Sequence, residues 1–300
     1  MTSRPVSIVI LAWNRWDLTE ACLRSLEKTV APGAVDVLVV DNGSTDETPD
    51  RLRKVGWVRT LRLETNHGFV RGNNAGIREC PPENDVLLLN NDVELLEVGW
   101  LERLAETACE PGAGLVGCRL LARKGVLGNA GAWILPDTCW GEGFGSFEAD
   151  VGQMGGVREV PVLQFACVLV TRRALDTVGL LSEDYLSYFE DADYCLRVRE
   201  AGLRVLCRGD VSVLHHHHGS TQHDPDLRRR LFEESRRVFR ANWEERLETR
   251  YGASLHWQSV LGFCMGYAIA GRGLVRELDG QGVRISYSYL YGTGTPYPVD

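Results

Sequence analysis

Val86-Leu87-Leu88-Leu89-Asn90-Asn91-Asp92 passes from four apolar residues to three amide and carboxylate side chains without a transition. An uninterrupted apolar run of this length reads as a strand buried on both faces, and burial on both faces belongs to parallel sheets covered by helices. Open α/β sheets bind their ligands in the crevice beyond the carboxyl ends of the strands. Asn90, Asn91 and Asp92 therefore stand where hard oxygen ligands would meet a phosphate-bearing substrate and its metal. A second acidic cluster, Glu190-Asp191-Ala192-Asp193, opens a helical pattern much later in the chain. A carboxylate delivered from a separate element can act as a base on whatever attacks that substrate.

The flanking sequence repeats the strand pattern. Residues 6–11 form a β-branched run followed by Asn14-Arg15 and a helical period through Leu18, Cys22, Leu23 and Leu26, and residues 35–40 form a second run that ends at Asp41-Asn42-Gly43-Ser44. Strand, loop, helix, strand at this spacing predicts a βαβ unit with parallel pairing. Pro49 fits only in the first turn of a helix, which places that helix's cap at Thr45 or later. Beyond it the pattern predicts a strand over 57–63, a polar loop over 66–74, a helix over 99–109 and a short strand over 114–118. Residues 160–170 read as a strong strand, 172–178 as a short helix, 188–201 as a helix stopped by Gly202, and 203–207 with 211–214 as strands. Residues 123–158 are glycine-rich without a period, as in a substrate-facing insertion or an irregular hairpin region. The arginine- and glutamate-rich stretch 226–247 predicts a solvated amphipathic helix on the core. A strand at 255–259, a helix at 268–278 stopped by Gly280 and a strand at 283–289 make a second βαβ unit. One such unit cannot bury its own faces, so it must dock on the preceding domain, on another copy or on further residues.

Composition narrows the class. Three hundred residues with 44% hydrophobic content bury a full core, as one large domain or two smaller ones. A formal charge of −8 argues against nucleic acid as a partner, because no basic excess replaces counterions along a phosphate backbone. An anionic substrate remains compatible where a metal supplies the positive charge. Nine cysteines without a C-x-x-C pair read as reduced thiols in a cytoplasmic protein, most of them small core residues. Residues 1–5 lack the basic start and apolar stretch of a secretory leader, so export by that route is not expected. The longest uncharged stretch, 257–271, falls short of the roughly 20 apolar residues a bilayer span needs, so membrane contact is expected to be at most peripheral.

Several segments together carry a resemblance: Val6-Ser7-Ile8-Val9-Ile10-Leu11-Ala12-Trp13-Asn14, Val39-Val40-Asp41-Asn42-Gly43-Ser44-Thr45-Asp46, Asn66-His67-Gly68-Phe69 through Gly72-Asn73-Asn74-Ala75-Gly76, Leu89-Asn90-Asn91-Asp92, and Phe189-Glu190-Asp191-Ala192-Asp193. In this order, over residues 5–245, they resemble the family 2 glycosyltransferases of GT-A fold, in particular the rhamnosyltransferase-like and galactofuranosyltransferase-like members. The resemblance implies a GT-A domain over 1–250, a mainly parallel α/β sheet flanked by helices. The remaining 251–300 form a C-terminal βαβ appendage, similar to the start of a GT-B type second domain.

What it implies chemically is an inverting, metal-dependent transfer of a sugar from a nucleotide-diphosphate donor, UDP- or dTDP-linked, to a hydroxyl of a glycan or lipid-linked glycan. Ala12, Asn14 and Asp41 would hold the base and ribose; Arg71, Asn73 and Asn74 would reach the base or phosphates, and Asn91 would border the donor. Asp92 would ligate Mg or Mn, with His215 completing the site and His216 or His217 in its place otherwise. Asp191 would be the catalytic base, with Glu190 as substitute. Each assignment has a plainer counterpart. Asp41-Asn42 also suits an Asx turn, Asn73-Asn74 a self-stabilised loop, and Asp193 a helix N-terminus. Trp13, Trp133 and Trp140 would stack on sugars or anchor packing. Asn90 and Asn91 stand where many members carry aspartates, which predicts weak cation binding without the donor diphosphate. It also leaves an inactive carbohydrate-binding or scaffold module as an alternative. A sugar-nucleotide nucleotidyltransferase would need glycines directly after the first strand, and Ala12-Trp13-Asn14-Arg15-Trp16 has none. Homo-oligomerisation is left open.

Overall fold

The computed structural model describes residues 3–31, 33–135, 140–216, 225–249, 252–259 and 266–289. The first half alternates strand and helix: β1 (Val6–Ala12), α1 (Trp16–Thr29), β2 (Asp36–Asn42), α2 (Thr48–Leu52), β3 (Arg59–Leu63), α3 (Gly68–Arg78) and β4 (Asp85–Asn90). Then come β5 (Val93–Leu95), α4 (Trp100–Ala108), β6 (Ala113–Arg123), β7 (Val126–Asn129), β8 (Ala132–Leu135), β9 (Trp140–Gly143), β10 (Val157–Glu159) and β11 (Cys167–Val170). The chain continues through α5 (Arg172–Val178), α6 (Glu190–Glu200), β12 (Arg204–His215), α7 (Pro225–Thr249), β13 (Ala253–Ser259), α8 (Gly266–Gly280) and β14 (Val283–Tyr289).

The main sheet runs β10-β12-β6-β11-β4-β1-β2-β3, with β5 added to β12 and β7 to β6. β1 is parallel to β2 and β4, and β2 to β3. Because β11 is antiparallel to both β4 and β6, β6 points the same way as β4, and β12 is parallel to β6. The carboxyl ends of β1, β2, β3, β4, β6 and β12 therefore share one edge. The chain leaves β1 towards β2 on one side and places β4 on the other, so the crevice between the ends of β1 and β4 is a topological switch point. Leu11 is in register with Asn90 there.

Side-chain alternation divides the core into two layers. Val9, Leu38, Val40, Val86 and Leu88 face a cluster that includes residues of α3, α6 and α7, whereas Ile8, Ile10, Val37, Leu87 and Leu89 face one built on α1 and α4.

Four readings are corrected. The predicted loop 66–74 is mostly the helix α3, although its glycines and asparagines are poor helix formers. Tertiary packing overrides propensity here: Gly72 and Gly76, one turn apart, lie against Leu11, Val9 and Val40 so closely that an added Cβ at Gly76 would overlap Val9 Cγ1 and approach Val40 Cγ2 to 2.9 Å. Gly76→Ala is expected to cost about 1–3 kcal/mol by overpacking, read as a lower urea midpoint at unchanged m. The strand expected over 160–170 is confined to Cys167–Val170, since Pro161 lacks the N–H a ladder needs and the chain crosses instead from β12 to β8 through Val160 and Val162. The short strand expected over 114–118 is the long β6. Finally, 203–207 and 211–214 are one strand, β12, bulged between Arg208 and Ser212.

The appendage forms its own parallel pair, β13 with β14, beside α8. Val275 and Ile285 close a small core with Trp133, and Phe144 joins it from below an Arg276 guanidinium 5.2 Å from its ring centroid. Of the three docking options, the described residues show contact with the preceding domain. Trp133 is buried in that seam as a packing anchor; the Trp140 side chain lies outside the described residues.

Candidate active site

Two loops bound the switch-point crevice on the β1 and β2 side. Asn14 and Arg15 take left-handed backbone conformations, with φ of 53° and 52°. In this turn the Asn14 N–H donates to Ser44 Oγ at 2.8 Å, and Asn14 Oδ1 accepts from the N–H groups of Thr45 at 2.8 Å and Asp46 at 3.3 Å. The loop after β1 is thereby tied to the loop after β2. Fully buried Asp41 accepts from the Ser44 N–H at 2.9 Å and pairs with Arg62, one strand over, which also donates to the Ser44 carbonyl. Both carboxylate oxygens of Asp41 are committed to shaping this turn. Ala12 is buried at its rim.

On α3, the residues expected to reach the donor hold a loop. Asn74 is fully buried and clasps the Leu181 backbone from both ends of its amide, donating to the carbonyl at 2.9 Å and accepting from the N–H at 3.1 Å. Arg71 and Arg78 both pair with Glu183, at 3.3 and 3.2 Å, and the Arg78 hydrogen bond keeps the Glu183 carboxyl below the ordinary range. Asn73 donates to the Phe69 carbonyl at 2.9 Å. These contacts position the segment that leads into the acid pair, because the 181–186 stretch is clasped between them and a Phe69 N–H bond to Leu186.

At the end of β4, Asn91 donates to Thr19 Oγ1 at 3.0 Å, which fastens the strand end to α1. Buried Asp92 meets buried His215: Nε2 lies 3.4 Å from Asp92 Oδ1. The register His215 with Val93, and a His216 N–H donating to the Asp92 carbonyl at 3.0 Å, fix this approach. Successive side chains of an extended segment alternate, and His216 accordingly turns to Glu94 at 2.6 Å. His217 lies outside the described residues. Two ligand atoms, each roughly 2.1 Å from one octahedral dication, stand about 3 Å apart. A carboxylate oxygen and an imidazole nitrogen at 3.4 Å fit such an ion; the carboxylate suits Mg or Mn, and neutral imidazole is a common ligand of divalent metals. Among the described residues no group of three or more metal-binding side chains forms, so substrate oxygens or water would fill the other positions.

The acid pair begins α6 directly after two consecutive non-glycine residues in left-handed conformation, Tyr188 at φ 69° and Phe189 at φ 65°. Such geometry costs on the order of 1–3 kcal/mol per residue and persists where its surroundings over-determine it. Here α7 does so: Phe189 packs on Phe239 and Phe232 at centroid distances of 5.2 and 5.3 Å, Tyr188 on Phe232 at 5.8 Å, and Ser235 Oγ donates to the Ser187 carbonyl at 2.7 Å. The helix expected to be a solvated cover is thus a clamp on the site. Glu190 is buried and its Oε2 has no hydrogen-bond partner among the described residues. Burial, and then the neighbouring Asp191 charge, push Glu190 up to about 8. Burial pushes Asp191 up to about 6, opposed by backbone N–H groups at Ala192, Asp191 and Phe165. Asp193 points the other way, into Trp243 Nε1 at 2.9 Å and Arg197 Nε at 2.8 Å, so its role is structural.

One seam joins the two acidic clusters. The Phe165 backbone lies close enough to Asp191 to favour its charged form, and the carbonyl of the next residue, Ala166, accepts from the Asn90 N–H at 2.9 Å. The strand end carrying Asp92 and the helix start carrying Asp191 are thus held to one peptide segment at the same sheet edge. Arg62, Phe165 and the α7 aromatics had no recognisable signal, because each acts through a pairing register or a distant packing contact.

A mainly parallel sheet with a carboxylate–imidazole pair and a buried acid pair at its carboxyl edge has the layout of a GT-A domain. The chain belongs to glycosyl transferase family 2, whose profile matches residues 7–176. Its fold is similar to that of GalNAc-T7, solved with UDP, GalNAc and Mn2+, at a TM-score of 0.60 and 15% identity over 71% of this chain and 44% of that one. In sequence it is 30% identical over 236 residues to the O-antigen biosynthesis protein RfbC of Myxococcus xanthus, covering 73% of this chain and 18% of RfbC. It is 28% identical over 251 residues to the N-acetylglucosaminyl-diphospho-decaprenol L-rhamnosyltransferase of Mycobacterium tuberculosis, covering 74% of this chain and 79% of that enzyme. The chain therefore spans less than a fifth of RfbC but most of the rhamnosyltransferase.

Proposed function

We propose that this chain transfers a hexosyl group, with inversion, from a pyrimidine nucleotide-diphosphate sugar to a hydroxyl of a glycan or lipid-linked glycan. The reading is supported by the segment Phe165–Ala166, whose Ala166 carbonyl ties down the Asn90 strand end of the Asp92–His215 edge while its Phe165 backbone lies beside the buried Asp191 carboxyl. In this reaction the acceptor oxygen bonds to the anomeric carbon as the bond to the diphosphate oxygen breaks, and Asp191 takes the hydroxyl proton. Glu190 stays protonated near neutral pH, which spares Asp191 a second negative charge beside it. The loop built by Asn14, Asp41 and Ser44 forms the floor for base and ribose, with Ala12 at its rim. Asp92 and His215 would hold the divalent cation, which when bound stabilises the departing diphosphate. The kinship with a rhamnosyltransferase supports a deoxyhexose as the sugar, with dTDP and UDP as the two candidate donor nucleotides.

Thermal unfolding with Mn and a panel of nucleotide sugars tests this. A ligand bound only by the folded state at a hundredfold excess over its Kd adds about 2.7 kcal/mol, so one pyrimidine nucleotide sugar is expected to raise the midpoint, and release of its nucleoside diphosphate is expected with it. A shift without any release over long incubation would mark a binding module instead.

A further inference from the structure

The hairpin between β6 and β7 and the segment beside it form a surface that the transfer chemistry does not use. Asp150 N–H donates to the Gly125 carbonyl at 2.9 Å, Phe147 N–H to the Leu127 carbonyl at 2.8 Å, and Val126 bridges to Ala149, so the hairpin tip and residues 147–151 are one unit. Its chemistry is sorted by direction. Phe147 and Val151 are 69% and 80% exposed, and Arg123 and Lys124 at the tip are exposed as well. The acidic members turn inward: Glu148 is 5% exposed, and Asp150 pairs with Arg119 at 2.7 Å with both side chains largely covered. No carboxylate among the described residues pairs with Arg123 or Lys124.

In a chain of net charge −8, a local surface stripped of its acids and left with two cations beside an aromatic and an aliphatic side chain is complementary to an anionic, partly apolar plane. Phe147 is also a non-glycine residue at φ 62°, a strained conformation that persists where its surroundings over-determine it. The placement is directional too. β6 and β12 run parallel with Leu121 opposite Leu214, which puts the Arg123-Lys124 tip just beyond the level of His215, past the site edge of the sheet.

We propose that this surface docks the protein on an anionic lipid bilayer, Phe147 and Val151 entering the headgroup boundary while Arg123 and Lys124 meet lipid phosphates. No described helix is long and apolar enough to cross a membrane, so the contact is interfacial. The inference deepens the lipid-linked-acceptor part of the proposed function, because it sets the Asp92–Asp191 edge towards the surface on which such an acceptor would lie.

Flotation of the full chain with phosphatidylcholine vesicles and with mixed phosphatidylcholine–phosphatidylglycerol vesicles, in the absence of donor, tests it. Binding is expected to the mixed vesicles only, and to weaken in high salt as screening shortens the reach of the two cations. Arg123→Glu with Lys124→Glu is expected to reduce the partition coefficient at least about tenfold, given the usual worth of each basic residue near an anionic surface. Phe147→Asn with Val151→Ser is expected to reduce it as well, asparagine being tolerant of the left-handed conformation. Equal binding to both vesicle types, or binding unmoved by either pair of changes, would overturn the proposal. Sedimentation showing that the wild type self-associates through Val151 would overturn it in favour of a second copy. Donor hydrolysis measured without vesicles is expected to be unchanged in all four substitutions, so a failed lipid contact and a failed sugar-transfer reading are told apart.

Discussion

Asp191→Asn is expected to lower kcat for sugar transfer by about two to four orders of magnitude, the usual worth of a positioned general base. The asparagine keeps the shape of the side chain and an oxygen able to accept from the Ala192 N–H at 2.7 Å, so the helix start and the donor affinity are expected to survive. The pH profile gives a second reading of the same group. A base works only when deprotonated, and burial holds Asp191 above its ordinary value, at about 6, so wild-type kcat is expected to rise with pH and level off above that limb. Glu190 sits higher, at about 8, and the two titrate as a coupled unit. Losing its proton at lower pH than Glu190 does, Asp191 is the ionised member of the pair at neutral pH and the group available to accept a proton. Initial rates and isothermal titration with donor, run on both proteins, check this. Full turnover in Asp191→Asn would transfer the base role to Glu190.

Asp92→Ala is expected to abolish most of the cation-dependent part of donor binding. Groups that merely support a metal ligand are worth roughly ten- to a hundredfold in metal affinity, and a ligand itself at least as much. The loss is expected to be steep because the polar side chains on either side are committed elsewhere: Asn91 is spent on Thr19, and His216 on Glu94. His215→Ala is expected to follow the same direction with a smaller loss, the imidazole carrying no negative charge towards the ion. Titrating nucleoside diphosphate with and without Mn separates the contributions. An Asp92→Ala protein whose nucleotide affinity still rises with Mn as in the wild type would remove Asp92 from the metal site.

The residues with strand periodicity were legible for a simple reason. Both-face burial writes itself into 6–11, 35–40 and 86–89 as apolar runs interrupted only by Ser7 and Asp36, whatever the rest of the fold does. The polar residues that end those runs were legible too, since a strand end is where the sheet stops excluding water. Helix α3 was misread because its signal is inverted: the glycines that let it approach β1 and β2 are the residues that make a helix least expected. The contacts made by the α3 side chains were equally hidden. Asn74 and Arg71 carry the side chains a nucleotide would want, but their partners, Leu181 and Glu183, lie far along the chain and become neighbours only when the loop before α6 folds back.

The sequence by itself determined the parallel α/β core, the strand ends that line its crevice and the two acidic clusters, because alternation and burial are local properties of a strand. Tertiary structure alone decided which histidine faces Asp92, that Arg62 locks Asp41, and that α7 holds the strained turn before Glu190. Those outcomes depend on register and on packing between segments distant in the chain, where a shift of one residue reverses a side chain's face, and no local pattern carries that information.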